Sequence, residues 1–278
     1  MNTNSNTYTV IYSTVLVVVV AAVLAFAAMY LKPKQDDNIK KDTVSQILTA
    51  AGIETTEDSD ILQIYADSIE KAILVKMNGE VAEALNTTAK ECVVYGTSDL
   101  KKQTVAADAD KLLPVYIFKN GTTVIPCYGA GLWGPIWGYI GLDNDLNTIK
   151  KACFGHKGET PGLGAKITDE PAAFADKFAS KVIGAGEIKF EVAKNVDAKA
   201  ASAVNAISGA TITSQSVGKA VNQWFGFYQE YFNKNGVKTE CEQPETQDAP
   251  VLTDPAEAED TAPEAEAETE TPAETVNE

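Results

Sequence analysis

Val115-Tyr116-Ile117-Phe118-Lys119-Asn120-Gly121-Thr122-Thr123-Val124-Ile125 sets two runs of β-branched and aromatic residues on either side of Asn-Gly. Asn-Gly is a strong hairpin signal because glycine admits the positive φ such turns demand, and the flanking residues suit a pleated, half-buried surface. Two antiparallel strands are therefore predicted, Val115 to Phe118 and Thr122 to Ile125. The same signal stands upstream, where Leu74 to Met77 and Val81 flank Asn78-Gly79. A third pair, Trp137 to Leu142 and Asn147 to Phe154, is predicted around Asp143-Asn144-Asp145. Three hairpins in a block make an antiparallel sheet.

Helical periods bracket that block. Ile39, Val44, Ile47, Leu48 and Ala51 form a stripe over Asp36 to Ala51 that ends at Gly52, and Ile61, Ile64, Tyr65 and Ile69 form another over Asp60 to Lys71. Phe174 and Phe178 are placed on a helix beginning near Pro171, and Ile188, Phe190 and Val192 alternate as a last strand. Val217, Val221, Trp224, Tyr228 and Tyr231 then recur at three- and four-residue spacing, an amphipathic helix with a cap at Thr213 or Ser214. The expected class is α+β: a single N-terminal transmembrane helix followed by one mixed domain with an antiparallel sheet and flanking helices. About 200 residues are enough for one sizeable core.

From Thr9 to Leu31 no residue is charged. That run is long enough to cross a hydrocarbon layer of about 30 Å. A cleaved signal peptide is the rival, since Ala25-Phe26-Ala27 has the form of a cleavage site. Against it, the first seven residues lack Lys and Arg, and the apolar run exceeds the usual 7 to 15 residues of a signal core. The organisation expected is an N-terminal segment 1–8, a membrane helix 9–31, a domain 32–241 and a tail 242–278. Lys32, Lys34, Lys40 and Lys41 follow the span, which by the positive-inside rule places the main domain in the cytoplasm.

The chain carries 39 acidic and 23 basic residues, but Glu242 to Glu278 holds 13 of the acidic ones and no basic one. The remaining body, 26 against 23, is only slightly acidic. It lacks the charge of a nucleic-acid reader, which needs a basic stripe. The tail, rich in Glu, Ala, Thr and Pro, has too little apolar surface to offset its chain entropy, so disorder is expected there. Cys92, Cys127, Cys153 and Cys241 are far apart and form no C-x-x-C pair, so neither a zinc site nor an iron–sulfur cluster is suggested. Disulfides and buried free thiols remain equally good accounts of them.

Asn205-Ala206-Ile207-Ser208-Gly209-Ala210-Thr211-Ile212-Thr213-Ser214 stands just before the last predicted helix. Gly209 and Ala210 leave little bulk beside the Thr211 hydroxyl, and a phosphate bonded to it would face free N–H groups and the positive end of the helix dipole. An ordinary polar turn would use the same residue types. Roughly fifty residues upstream lies His156-Lys157-Gly158-Glu159-Thr160-Pro161-Gly162-Leu163-Gly164, in which Pro161-Gly162 suits a type II turn that sets Thr160 and Leu163 on one side. A third stretch, Gly129-Ala130-Gly131-Leu132-Trp133-Gly134-Pro135-Ile136-Trp137, combines close-approach glycines with indoles. Trp133 suits ring stacking or the core; Trp137, inside a strand, suits the core.

The Ser-Gly-Ala-Thr turn resembles the flavinylation motif Asp-x-x-Ser/Thr-Gly-Ala-Thr of membrane flavoproteins. With the two upstream stretches, residues 1 to about 235 resemble the C subunit of the Na+-translocating NADH:quinone reductase, a covalent FMN-binding family related to the G subunit of the Rnf complex. Asn205 departs from the usual Asp, and Lys157 lengthens the commoner His-Gly-Glu-Thr loop by one residue. The resemblance implies that Thr211 carries FMN through a phosphoester and that Ser208, Gly209, Ala210 and Thr213 contact the cofactor beside it. Under the same resemblance Trp133 stacks on the ring, Glu159 and Thr160 address the polar edge or ribityl hydroxyls, Gly162 forms the turn and Leu163 packs against the ring.

The implied role is electron transfer between other subunits of a membrane redox complex that oxidises NADH, reduces quinone and pumps Na+, not catalysis by this chain alone. The implied location is a bacterial inner membrane with the domain extracytoplasmic, against the charge rule. An FAD-dependent FMN transferase is implied as a further partner. The alternatives are the Rnf G subunit, coupled to ferredoxin, and an anchored scaffold without flavin. No nucleic acid and no metal are expected.

Overall fold

In the computed structural model the residues described are 6–56, 59–184, 190–197 and 199–236. They lie in one compact unit, Met1–Lys238; the acidic tail, Cys241 and Ile188 fall outside the described residues.

A 45-residue helix, α1 (Asn6–Ala50), opens the chain. The apolar anchor and the stripe over residues 36–51, two segments by their sequence patterns, are one continuous helix. Its N-terminal apolar residues are exposed, whereas Val44, Ile47, Leu48 and Ala50 are fully buried in the domain. Pro33 lies inside it. Proline takes away the N–H that would bond Met29, and just past the apolar run water can satisfy that carbonyl instead.

Helix α2 (Ile61–Ser68) is capped by Asp60, whose side chain accepts from Gln63 N. It stops three residues short of the sequence expectation because Ile69 enters strand β1 (Ile69–Val75), which pairs with β2 (Val81–Leu85) across Asn78-Gly79. Here Gly79 takes φ +74°. Helix α3 (Thr97–Val105), which its mixed polar sequence did not signal, leads into β3 (Leu113–Phe118) and β4 (Thr123–Ala130). Strands β5 (Pro135–Leu142) and β6 (Ile149–His156) complete an antiparallel sheet of six strands in the order β2-β1-β3-β4-β5-β6. All three predicted hairpins are present.

After a short helix α4 (Lys166–Asp169), two 3-10 turns, Pro171–Ala173 and Ala175–Phe178, stand where one helix was expected to begin near Pro171. The break falls at Phe174, whose φ of −146° lies outside the helical range; Phe154, Phe174 and Phe178 form a tilted cluster with ring centroids 4.9 to 5.7 Å apart, and Phe190 stacks on Phe178 at 5.0 Å. Strand β7 (Glu191–Ala193) pairs in parallel with β8 (Ala203–Asn205) in a separate small sheet, and α5 (Thr211–Asn235) ends the described chain.

Register assigns the two faces of the large sheet. Gly129 pairs with Ile136, and Cys127 with Gly138, so these residues share a face. Helix α5 lies on it: a Cβ on Gly129 would sit 2.8 Å from the Ala220 Cβ, and Trp224 Nε1 donates to Tyr128 O at 2.9 Å. The buried stripe of α5 is Val217, Val221, Trp224, Phe225, Tyr228 and Tyr231. Burying one such side chain stabilises by about 1.5–3 kcal/mol. The C-terminal turns of α1 cover the opposite face. A Cβ on Gly141 would collide with the Ala50 carbonyl, and Trp137 Nε1 donates to Gln46 Oε1 at 2.9 Å. Trp137 thus packs against the core, its ring lying over Gly155.

A candidate flavin attachment site

Three segments far apart in sequence converge at the N-terminus of α5, and a buried carboxylate joins them. Glu159 is 5 % exposed. Its Oε1 accepts from Leu132 N at 2.8 Å and Trp133 N at 3.1 Å, and its Oε2 accepts from Thr213 Oγ1 at 2.7 Å. Burying a carboxylate is costly unless hydrogen bonds replace its water, and three donors do so here. Space for it comes from glycine: a Cβ on Gly131 or on Gly164 would lie 2.5 Å from Oε1 or Oε2 respectively. The Glu159 backbone N–H in turn donates to His156 Nδ1 at 3.2 Å, which gives the sole histidine a structural bond.

The loop after Glu159 turns as its Pro-Gly pair predicts. Gly162 has φ +74°, and Leu163 N donates to Thr160 O at 3.1 Å, closing a type II turn. Thr160 and Gly162 are exposed at its tip. Leu163 returns over the Ser208–Thr211 turn, where a Cβ on Gly209, itself at φ +82°, would lie 3.0 Å from Leu163 Cδ2.

Helix α5 begins at Thr211 itself, with Ala210 as N-cap and no side-chain capping bond. This corrects the expected cap at Thr213 or Ser214. Those two hydroxyls are buried in the first turn and engaged elsewhere: Thr213 binds Glu159, while Ser214 Oγ donates to Ala210 O at 2.9 Å and accepts from Ile207 N at 3.0 Å. Ser214 therefore braces the turn that precedes the helix. Thr211 is half-buried, with Ser208 and Gly209 exposed beside it and Ala210 buried beneath.

Around Thr211 large apolar side chains stand in solvent: Trp133 at 68 %, Ile212 at 59 %, Leu132 at 48 % and Leu163 at 44 % exposure. Trp133 is therefore no core residue. The structure also gives Asn205 a specific task. Its Oδ1 accepts from Val196 N at 2.8 Å and its Nδ2 donates to Val196 O at 2.9 Å, tying β8 to the turn after β7. Asp could make only the first of these bonds.

No disulfide forms among the described cysteines, since Cys92, Cys127 and Cys153 are free thiols. Burial pushes the Cys127 thiol up to about 12, against a smaller opposing hydrogen bond from Gly138 N, so it is not a thiolate at neutral pH. Burial likewise pushes Cys153 up to about 11, reinforced by the Asp42 charge and opposed by Lys151. No cluster suited to a metal ion occurs among the described residues.

A glycine-spaced, carboxylate-pinned turn offering a hydroxyl at a helix start, with bare apolar side chains around it, has the form of a flavin-binding domain. Residues 131–226 match the FMN-binding domain family. Among whole-chain relatives, the C subunit of the Na(+)-translocating NADH-quinone reductase of Pasteurella multocida is 32 % identical over 73 % of this chain and 84 % of that protein. Its counterpart in Neisseria meningitidis serogroup B is 30 % identical over 80 % and 94 %. The crystal structure of the same reductase's C subunit from Parabacteroides distasonis superposes with a TM-score of 0.60 at 34 % identity, covering 73 % of this chain and 96 % of that one. The chain belongs to the family of C subunits of the Na+-translocating NADH-quinone reductases. Its helix α1 is long and apolar enough to cross a membrane, which fits an anchored subunit.

Proposed function

We propose that this chain is the membrane-anchored, covalently flavinylated electron carrier of a Na+-pumping NADH:quinone oxidoreductase, with FMN held on Thr211. The observation that carries the reading is the contrast between two hydroxyls two residues apart in the first turn of α5. Thr213 is 1 % exposed and bound to Glu159, whereas Thr211, the first residue of a 25-residue helix, is half-exposed.

A phosphate on Thr211 meets the uncapped N–H groups of α5 and the positive end of its dipole, so no lysine is needed to hold the anion. Trp133, Leu132, Leu163 and Ile212 supply apolar faces for a planar ring, and Thr160 and Ser208 supply hydroxyls at its margin. FMN, once attached, supplies the electron-accepting and electron-donating chemistry. The chain contributes attachment, packing and an anchor.

Attachment itself is assigned to a separate transferase with FAD as donor. The Thr211 oxygen forms the phosphoester while the pyrophosphate bond breaks, AMP leaves with its electron pair, and the hydroxyl proton is lost. The domain is placed outside the cytoplasm, as in the family resemblance; reaction of single surface cysteines with a membrane-impermeant thiol reagent in intact cells tests that orientation.

Co-expression with the transferase tests the site. Wild-type chain, denatured and separated by electrophoresis, is expected to fluoresce under ultraviolet light and to gain the mass of one FMN less one water. Ser208→Ala keeps the label and Thr211→Ala loses it. Fluorescence persisting in Thr211→Ala refutes the assignment.

A further inference from the structure

The buried face of the site contains a carboxylate that cannot reach a ligand without giving up its present partners. Both Glu159 oxygens are spent on the chain: one on the Leu132 and Trp133 amides, the other on the Thr213 hydroxyl. Those partners are not arbitrary. Thr213 lies two residues past Thr211 in the same helical turn, and Leu132 and Trp133 form part of the exposed apolar rim around it. One side chain therefore sets the distance between the acceptor hydroxyl and the surface onto which a ring would fold.

We propose that Glu159 is a positioning residue for the modification of Thr211: it holds the first turn of α5 and the Leu132–Trp133 loop in one rigid frame, and it does not itself contact flavin. The inference rests on Thr211 being the attachment site. Two glycines support it independently of any ligand, because Gly131 and Gly164 clear the volume the carboxylate occupies, each to 2.5 Å from an imagined Cβ. A group needed only for contact with a mobile cofactor would not be walled in from both sides by its own chain.

Geometry and charge can be separated by substitution. Glutamine is nearly isosteric; its carbonyl oxygen can accept both backbone N–H groups, and its amide can donate to the Thr213 hydroxyl, which turns from donor to acceptor. Glu159→Gln therefore keeps the frame without the charge, and Glu159→Ala removes both.

The test uses the full chain in detergent with purified transferase and FAD, reading FMN incorporation by intact mass. Expected for Glu159→Ala is a loss of about 10- to 100-fold in turnover at saturating acceptor, the scale of a misplacement of about 1 Å, with little change in half-saturating concentration because the residue is buried. Glu159→Gln stays within about threefold of wild type. Hydrogen exchange on the unmodified chain gives a second, ligand-free readout, in which the Leu132 and Trp133 amides exchange at least about tenfold faster in Glu159→Ala. Thermal melting of the same samples checks that the variant remains folded at the assay temperature.

Wild-type turnover in Glu159→Ala overturns the proposal, as does a Glu159→Gln variant as slow as Glu159→Ala, which would assign the charge a direct role. Should wild type accept no FMN, it is the Thr211 reading that falls. The frame is then judged by exchange alone, and unchanged Leu132 and Trp133 protection in Glu159→Ala overturns it.

Discussion

Gly164→Ala isolates the carboxylate lock in a measurement of stability. A methyl at position 164 would lie 2.5 Å from Glu159 Oε2, 3.0 Å from Thr213 Oγ1 and 3.1 Å from Glu159 Cβ. Carboxylate oxygens at the end of a glutamate would ordinarily swing aside, but these are pinned by three donors, so yielding means breaking the Thr213 bond at least. A hydrogen bond to a charged group contributes about 1.5–3 kcal/mol. Replacing Gly by Ala returns about 0.4–1 kcal/mol through the unfolded chain. The net expectation is a loss of about 1–2 kcal/mol, which for a domain of this size lowers Tm by about 2–8 °C. A double-mutant cycle gives the decisive comparison, because in a Glu159→Ala background the carboxylate oxygen at 2.5 Å is gone, the Thr213 hydroxyl is free to give way, and Gly164→Ala should cost far less. Thermal or denaturant unfolding of the four full-length proteins in the same detergent measures a coupling of about 1–2 kcal/mol. An equal Tm loss in both backgrounds would show that Gly164 serves some purpose other than clearing space for Glu159, and the lock would not stand as described.

Two further predictions concern residues around the site. Asn205→Asp restores the carboxylate usual in the resembling motif, yet here it removes the Nδ2 donation to Val196 O and sets an anion against a carbonyl; a loss of about 1–2 kcal/mol is expected, and a variant melting at or above wild type refutes it. Cys127, 1 % exposed with its thiol pushed from 9.0 up to about 12, should resist iodoacetamide at pH 8 in the folded chain, as read by peptide mass mapping after quenching. The same shift makes stability depend on pH. Below pH 9 both folded and unfolded thiols keep their proton, while between 9 and about 12 only the unfolded one ionises, so Cys127 makes stability fall as pH rises through that window. Cys127→Ser should flatten that part of the pH–stability curve, and an unchanged slope would count against the assignment.

Local chemistry alone determined much of this protein. Asn78-Gly79 and Asn120-Gly121 announce their hairpins because the turns Lys76–Gly79 and Phe118–Gly121 are local and each ends on a glycine at positive φ, and the three- and four-residue spacing of Val217 to Tyr231 announces α5 because helical periodicity is a local property. Pro161-Gly162 likewise turned as its φ preferences require. The expected cap at Thr213 or Ser214 went astray because hydroxyls that suit a cap also suit a buried bond, and only packing chooses between them. Phe174 breaks the helix expected there, its backbone at φ −146° where the ring meets Phe154 and Phe178, and no local signal announces the contact with Phe154. Nor does any local signal say that Glu159 is buried, or that Gly131 and Gly164 stand aside for it. The carboxylate's partners are Leu132, Trp133 and Thr213, 26 to 54 residues away. Residues that remote meet only once the sheet has formed and α5 has packed across it, so their common purpose belongs to the tertiary structure and cannot be read from the order of the chain.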